Sequence, residues 1–160
     1  MHRLRHIPIL AAVAAAAALA VPTADAYSGN PCHLLTSKQV AALGVATGCS
    51  LRKESPNAYY RGVTAIWGKL GVPSGGSVDL AVNKVASSAY VKLFESQQKG
   101  GKSVGVGSFS RGACAGTGRY CNIVFVTGAY VVELQLAVPA SHKLTMPKAV
   151  ALAKVIAAEL

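Results

Sequence analysis

The chain has 160 residues, with 16 Lys and Arg against 6 Asp and Glu and a formal charge of +10. That length suits one folded domain that builds its own core without a metal or a partner chain, and it leaves no room for two. The charge balance favours anionic surfaces, and so few carboxylates leave little material for a paired catalytic acid and base.

Residues 1–26 read as a cleavable secretory signal. Arg3 and Arg5 precede an apolar run over 7–21, and Ala24-Asp25-Ala26 puts small residues where a signal peptidase reads, so cleavage falls before Tyr27. The 15 residues of that run fall short of the about 20 that cross a bilayer. Cys32 follows Pro31 and not a cleavage site, which argues against a lipid anchor, and no later stretch is both long and apolar enough to span a membrane. Residues 27–160 are then a single exported domain that keeps 14 Lys and Arg and 5 Asp and Glu, for a formal charge of +9.

All four cysteines, Cys32, Cys49, Cys114 and Cys121, lie in the exported part, where an even count reads as two disulfides. Of three possible pairings the sequential one, Cys32 with Cys49 and Cys114 with Cys121, is favoured because each bridge then closes a short local segment. A zinc site is disfavoured, since 16 and 6 residues separate the cysteines of each pair and His33 stands next to Cys32 instead of at ligand spacing. No cofactor is expected.

Thr36 and Gln39 stand three apart as in a capping box, which predicts a helix that turns Val40 and Leu43 inward and stops at Gly44. Residues 52–58 read as a solvated loop and 59–69 as a strand with Val63, Ala65 and Trp67 among its apolar positions. A Gly- and Pro-rich turn at 71–76 leads to Val78, Leu80 and Val82, the period-2 face of a second strand paired with the first as a hairpin. Ser87 or Ser88 caps a second helix, in which Tyr90, Val91, Leu93, Phe94 and Gln97 recur at helical spacing before Gly100-Gly101 ends it. Val104, Val106 and Phe109 alternate with Gly and Ser as a strand, and 110–119 reads as a loop. Residues 122–127 and 129–138 form an antiparallel pair turning at Gly128-Ala129. Thr145 and Pro147 open a last helix whose stripe is Ala149, Leu152, Ala153, Ile156 and Leu160. This order predicts an α+β fold, an antiparallel β-sheet with helices packed on one face and two disulfides.

No set of residues matches a catalytic motif. Gly100-Gly101-Lys102-Ser103 lacks the upstream glycine of a phosphate loop, because Ser96 stands there, and Ser110 occupies the third glycine position of the dinucleotide pattern begun by Gly105-Val106-Gly107. Gly107-Ser108-Phe109-Ser110-Arg111 fails the hydrolase elbow at its last position. The exported carboxylates Glu54, Asp79, Glu95, Glu133 and Glu159 are spread over different elements and read as surface partners of lysines. The best candidate is the 110–119 loop, where a bridge to Cys121 would hold Arg111 and Arg119 beside glycine-rich backbone, ready for an anion. Trp67, Tyr59 and Tyr60 are further candidates for a binding surface. The expected function is a non-enzymatic, envelope-associated or secreted binding domain, its partner an anionic cell-wall polymer, a lipid surface or an envelope protein. Nucleic acid is disfavoured, because the lysines are dispersed and the tyrosines do not interleave with them. The alternative is a small secreted hydrolase that uses His142 or His33 with a distant serine.

The opening Pro31-Cys32-His33-Leu34-Leu35-Thr36-Ser37-Lys38-Gln39-Val40-Ala41-Ala42-Leu43-Gly44, followed by Gly48-Cys49-Ser50, resembles the actinobacterial exported proteins grouped as domain of unknown function family 3558. Val104-Gly105-Val106-Gly107 and the Ala-rich last helix also fall where that family has its glycine segment and final helix. The resemblance implies the cysteine roles and the α+β layout, and no active site. The chain departs from it in lacking a lipidated cysteine and in placing Trp67 18 residues after Cys49. A weaker resemblance is to the disulfide-tied extracellular sensor domains of envelope kinases.

Mass spectrometry of the secreted protein is expected to find a chain that begins at Tyr27 and is lighter than its reduced form by four hydrogens, two for each disulfide. Four alkylatable thiols in the native protein would refute the bridges.

Overall fold

Asn30 accepts a hydrogen bond from the Cys32 amide, which caps a 3-10 turn at Pro31–His33. The structure, a computed structural model, describes residues 29–53, 60–69 and 75–160, so the expected leader and most of the 71–76 turn lie outside the described residues. Helix α1 (Ser37–Ala41) starts with the anticipated capping box: the Gln39 amide donates to Thr36 Oγ1 at 3.3 Å, and the Thr36 amide donates to Gln39 Oε1 at 2.7 Å. Val40 and Leu43 are buried as expected, and the chain leaves through Gly44 at φ +71°, a left-handed conformation that L side chains rarely adopt. A side chain at Gly44 would also collide with the His142 ring.

Six strands form one antiparallel sheet in the order β1-β2-β3-β6-β5-β4. They are β1 (Cys49–Lys53), β2 (Tyr60–Gly68), β3 (Ser77–Val85), β4 (Phe109–Cys114), β5 (Tyr120–Thr127) and β6 (Tyr130–Ala137). Two three-stranded meanders thus meet at a central β3–β6 seam. Alternation sends Val78, Leu80 and Val82 of β3, Cys121, Ile123 and Phe125 of β5, and Val132, Leu134 and Leu136 of β6 to one face, all buried. Helix α3 (Met146–Glu159) closes that face with Ala149, Ala153 and Ile156, and α1 contributes Val40.

The α+β class, the antiparallel sheet and both disulfides are as the sequence predicts. Helix α2 (Ser88–Gln97) departs from the one-faced arrangement. Its Tyr90, Val91 and Phe94 pack with Val85, Val126 and Val131, which point to the opposite face of the sheet from the main core. Val85, the last residue of β3, directs the chain there, and Leu93 of the expected apolar stripe is left 49% exposed. Three local expectations also change. Arg52 and Lys53 belong to β1, where pairing with Thr64 and Val63 serves their backbone on a short, charged edge strand. Residues 104–107 are not a strand, because Gly105 and Gly107 hold φ of +67° and +62°, outside the β region. The segment read as a loop over 110–119 is β4 as far as Cys114, since this stretch pairs with β5.

Both disulfides lie on a single row of cross-strand partners. Cys49 pairs in register with Trp67, Trp67 with Val78, Val78 with Leu136, Leu136 with Cys121, and Cys121 with Cys114. Cys32–Cys49 ties one end of that row to the turn before α1, and Cys114–Cys121 joins directly opposed residues at its other end, with Cα atoms 4.0 Å apart. Among the described residues no helix is long and apolar enough to cross a membrane.

Closing loops of 17 and 7 residues restricts the unfolded chain by about 3 and about 2.5 kcal/mol. Urea unfolding of Cys32→Ser/Cys49→Ser and of Cys114→Ser/Cys121→Ser is therefore expected to show losses of that size, the first pair costing more. A larger loss from the second pair would contradict this reading.

Candidate ligand-binding face of the sheet

The face away from α3 is polar, and the pairing register sets its side chains in rows across the strands. One row runs Ser50, Ile66, Asp79, Gln135, Asn122, Ala113; the next runs Arg52, Thr64, Ala81, Glu133, Val124, Arg111. Beyond them, Val131 and Val126 lie beneath α2, which leaves these two rows uncovered by its apolar side. A hollow of about 580 Å³ opens over β1, β2, β3 and β6, lined by Arg52, Thr64, Asp79, Asn83, Glu133 and Gln135 among others.

Its polar groups are organised by hydrogen bonds to one another. Glu133 Oε1 accepts from Gln135 Nε2 at 2.8 Å and from Asn122 Nδ2 at 3.3 Å, while Gln135 Oε1 accepts from the Tyr120 hydroxyl at 3.3 Å. Ser77, itself buried, donates its hydroxyl to Asp79 Oδ2 at 3.2 Å. Desolvation raises the Asp79 pKa above the usual carboxylate value, opposed by the Ser77 hydrogen bond and by the charge of Arg52. Tyr120 is likewise raised, by burial and then by the negative charges of Glu133 and Asp79. Two carboxylates that the sequence spread over separate elements are thus brought onto one surface, and they take serine and amide hydrogen bonds where lysine partners were expected.

The sequence candidates fare unevenly. Trp67 is 2% exposed, in the core beside Cys49 on the disulfide row, and offers no binding surface. Tyr60 begins β2, and Tyr59 and Glu54 lie outside the described residues. Arg111 and Arg119 do not share one anion site. Arg111 sits on β4, with its guanidinium carbon 5.7 Å from the Phe109 ring centroid. Arg119 lies past the hairpin tip, where its Nε donates to the Val138 carbonyl at 3.4 Å. Its own carbonyl accepts from Val138, and that of Gly118 accepts from Leu144, so the loop is fastened to the β6–α3 connection. His142 is bonded to its chain neighbour, Ser141 Oγ to Nδ1 at 3.0 Å, with no distant serine among its described partners, and His33 is exposed. Neither histidine lines the hollows of the sheet face.

In the sequence Asp79 and Glu133 read only as scattered surface carboxylates and their neighbours carry no mark of a site, because the signal is the polar half of a strand alternation, Asp79 with Asn83 and Glu133 with Gln135. No family model, curated protein or solved structure matches the chain. The likeness of its opening segment to the exported family therefore rests on those residues alone.

Because Asp79 binds its proton more tightly in the folded state than in the unfolded one, stability falls as pH rises from the unfolded value of 3.8 through the folded one. Asp79→Asn removes that penalty. The variant is expected to melt above the parent at pH 7, with the gap closing as the pH drops below about 4. A gap that widens in acid would overturn the assignment.

Proposed function

We propose that the chain is an exported, non-enzymatic binding domain, held at anionic envelope surfaces by its positive charge, that receives a polar ligand on the open face of its sheet. The carrying observation is the hollow of about 580 Å³, where Arg52, Lys69, Asp79 and Glu133 set both signs of charge on one wall of a chain whose exported part is strongly cationic overall. Dispersed surface charge favours encounter with a polyanion, and a locally balanced hollow with preset amides suits recognition of something else. The two disulfides support an oxidising location, as in extracellular proteins. Against the hydrolase alternative stand the exposed positions of His33 and Ser141 and the distance of both histidines from the hollows of the sheet face, whose lining includes neither.

Co-sedimentation of the exported, oxidised protein with washed cell-wall sacculi and with phosphatidylglycerol vesicles tests the reading. Binding to at least one at low ionic strength is expected, with release at about 0.5 M salt, where the Debye length falls toward a few ångströms. Protein that stays in the supernatant at low salt would overturn it.

A further inference from the structure

The hollow over β1, β2, β3 and β6 is one part of a longer trough. A second hollow of about 280 Å³ shares Asn83 and Glu133 with it and runs under α2, walled by Tyr90 and Phe94. A third, of about 230 Å³, shares Gln98, Asn122 and Val124 with the second and ends at Arg111. The three follow the row from Arg52 to Arg111 across all six strands. Five inter-strand steps of about 4.8 Å make that path about 24 Å long.

Three residues that line the trough each hold a polar atom buried from solvent without a hydrogen-bond partner: Asn83 Oδ1, Asn122 Oδ1 and Arg111 Nε. Such orphans are costly and rare in folded proteins, and here two acceptors and one donor lie on a single path. Asn83 is built into place, because a side chain at Gly62, its register partner on β2, would collide with the Asn83 amide.

We infer that the trough binds an unbranched glycan strand bearing N-acetylated amino sugars, an assignment that rests on the binding reading above and names its ligand class. A turn of the Asn83 and Asn122 amides and of the Arg111 guanidinium into the hollows they line brings these atoms within reach of a sugar, whose hydroxyls and acetamido N–H groups supply donors for the two Oδ1 atoms and whose acetamido carbonyl supplies an acceptor for Nε. Tyr90 and Phe94 give the α2 wall aromatic surface for the apolar faces of sugar rings. An extended peptide suits the site less well: its backbone groups are met by the edge of a sheet, whereas this trough crosses strands whose own amides are committed to the ladder.

Titration of the isotope-labelled, oxidised protein with the hexamer and the dimer of N-acetylglucosamine, followed by NMR in about 0.3 M salt to suppress charge-driven association, tests the assignment. The expected result is shifts of the Asn83 and Asn122 side-chain amides and of the Arg111 Nε–H, with the hexamer binding about tenfold more tightly than the dimer. Asn83→Val/Asn122→Val should weaken hexamer binding by about tenfold or more while core resonances such as Ile123 and Leu134 keep their positions. Should that variant not fold, the shift map of the parent protein decides. Absence of these shifts at millimolar hexamer, equal affinity for both lengths, or a seven-residue extended peptide that shifts the same groups when the sugar does not would overturn the inference. Envelope retention without these shifts removes this assignment alone, and the shifts without retention remove only the electrostatic part of the earlier reading.

Discussion

Along Ser77 to Lys84 the chain hydrogen-bonds antiparallel to Tyr130 to Ala137, and on this seam the remaining structure depends. Among the described residues it is where the two meanders are paired within the sheet. Val78, Leu80 and Val82 face Leu136, Leu134 and Val132 on the buried side, and Asp79 and Ala81 face Gln135 and Glu133 on the other. A slip of one residue would turn one of the two strands over, burying its carboxylate, Asp79 or Glu133, and exposing its three apolar side chains, so burial on one side enforces the polar arrangement on the other. Core and candidate site are two consequences of one pairing.

The two faces differ in how they are covered. Helix α3 and the segment around α1 cover the apolar face, with no large side chain left out at the centre. Helix α2 covers only the end of the polar face where Val85, Val126 and Val131 interrupt the polar pattern, and this leaves the Arg52 to Arg111 row under its edge. The disulfides act at the outer strands, β1 and β4, where a sheet has fewest partners. Cys32–Cys49 anchors β1, and Cys114–Cys121 locks β4 against β5. Both ties therefore sit on the edge strands that carry Arg52 and Arg111.

Much of this was legible in the residues themselves. The capping box, the glycine exit at Gly44, the alternation of β3, the Gly128 turn and the stripe of α3 are local signals, carried by neighbours within a few positions, and they survive folding because tertiary contacts agree with them. The sequential disulfides were legible for the same reason, each closing a short loop. Where the reading went astray, non-local contacts had overridden local pattern. Val104 and Val106 alternate like a strand, but the backbone turns left-handed at Gly105 and Gly107, and residues 110–114, polar and glycine-bearing, become a strand through pairing with β5. Trp67 looked like a surface aromatic and is core, since its neighbours Val78 and Cys49 come from other strands.

By itself the sequence determined most of the element types, the class of fold and the excess of positive charge, and it favoured the cysteine pairing that forms, because each of these follows from composition or from spacings of a few residues. Only the tertiary structure decided that α2 crosses to the far face, that Arg111 and Arg119 part company, and that Asp79, Glu133, Asn83 and Asn122 share one surface. Those residues lie up to 54 positions apart along the chain, and a register between distant strands, which no short-range pattern encodes, is what brings them together.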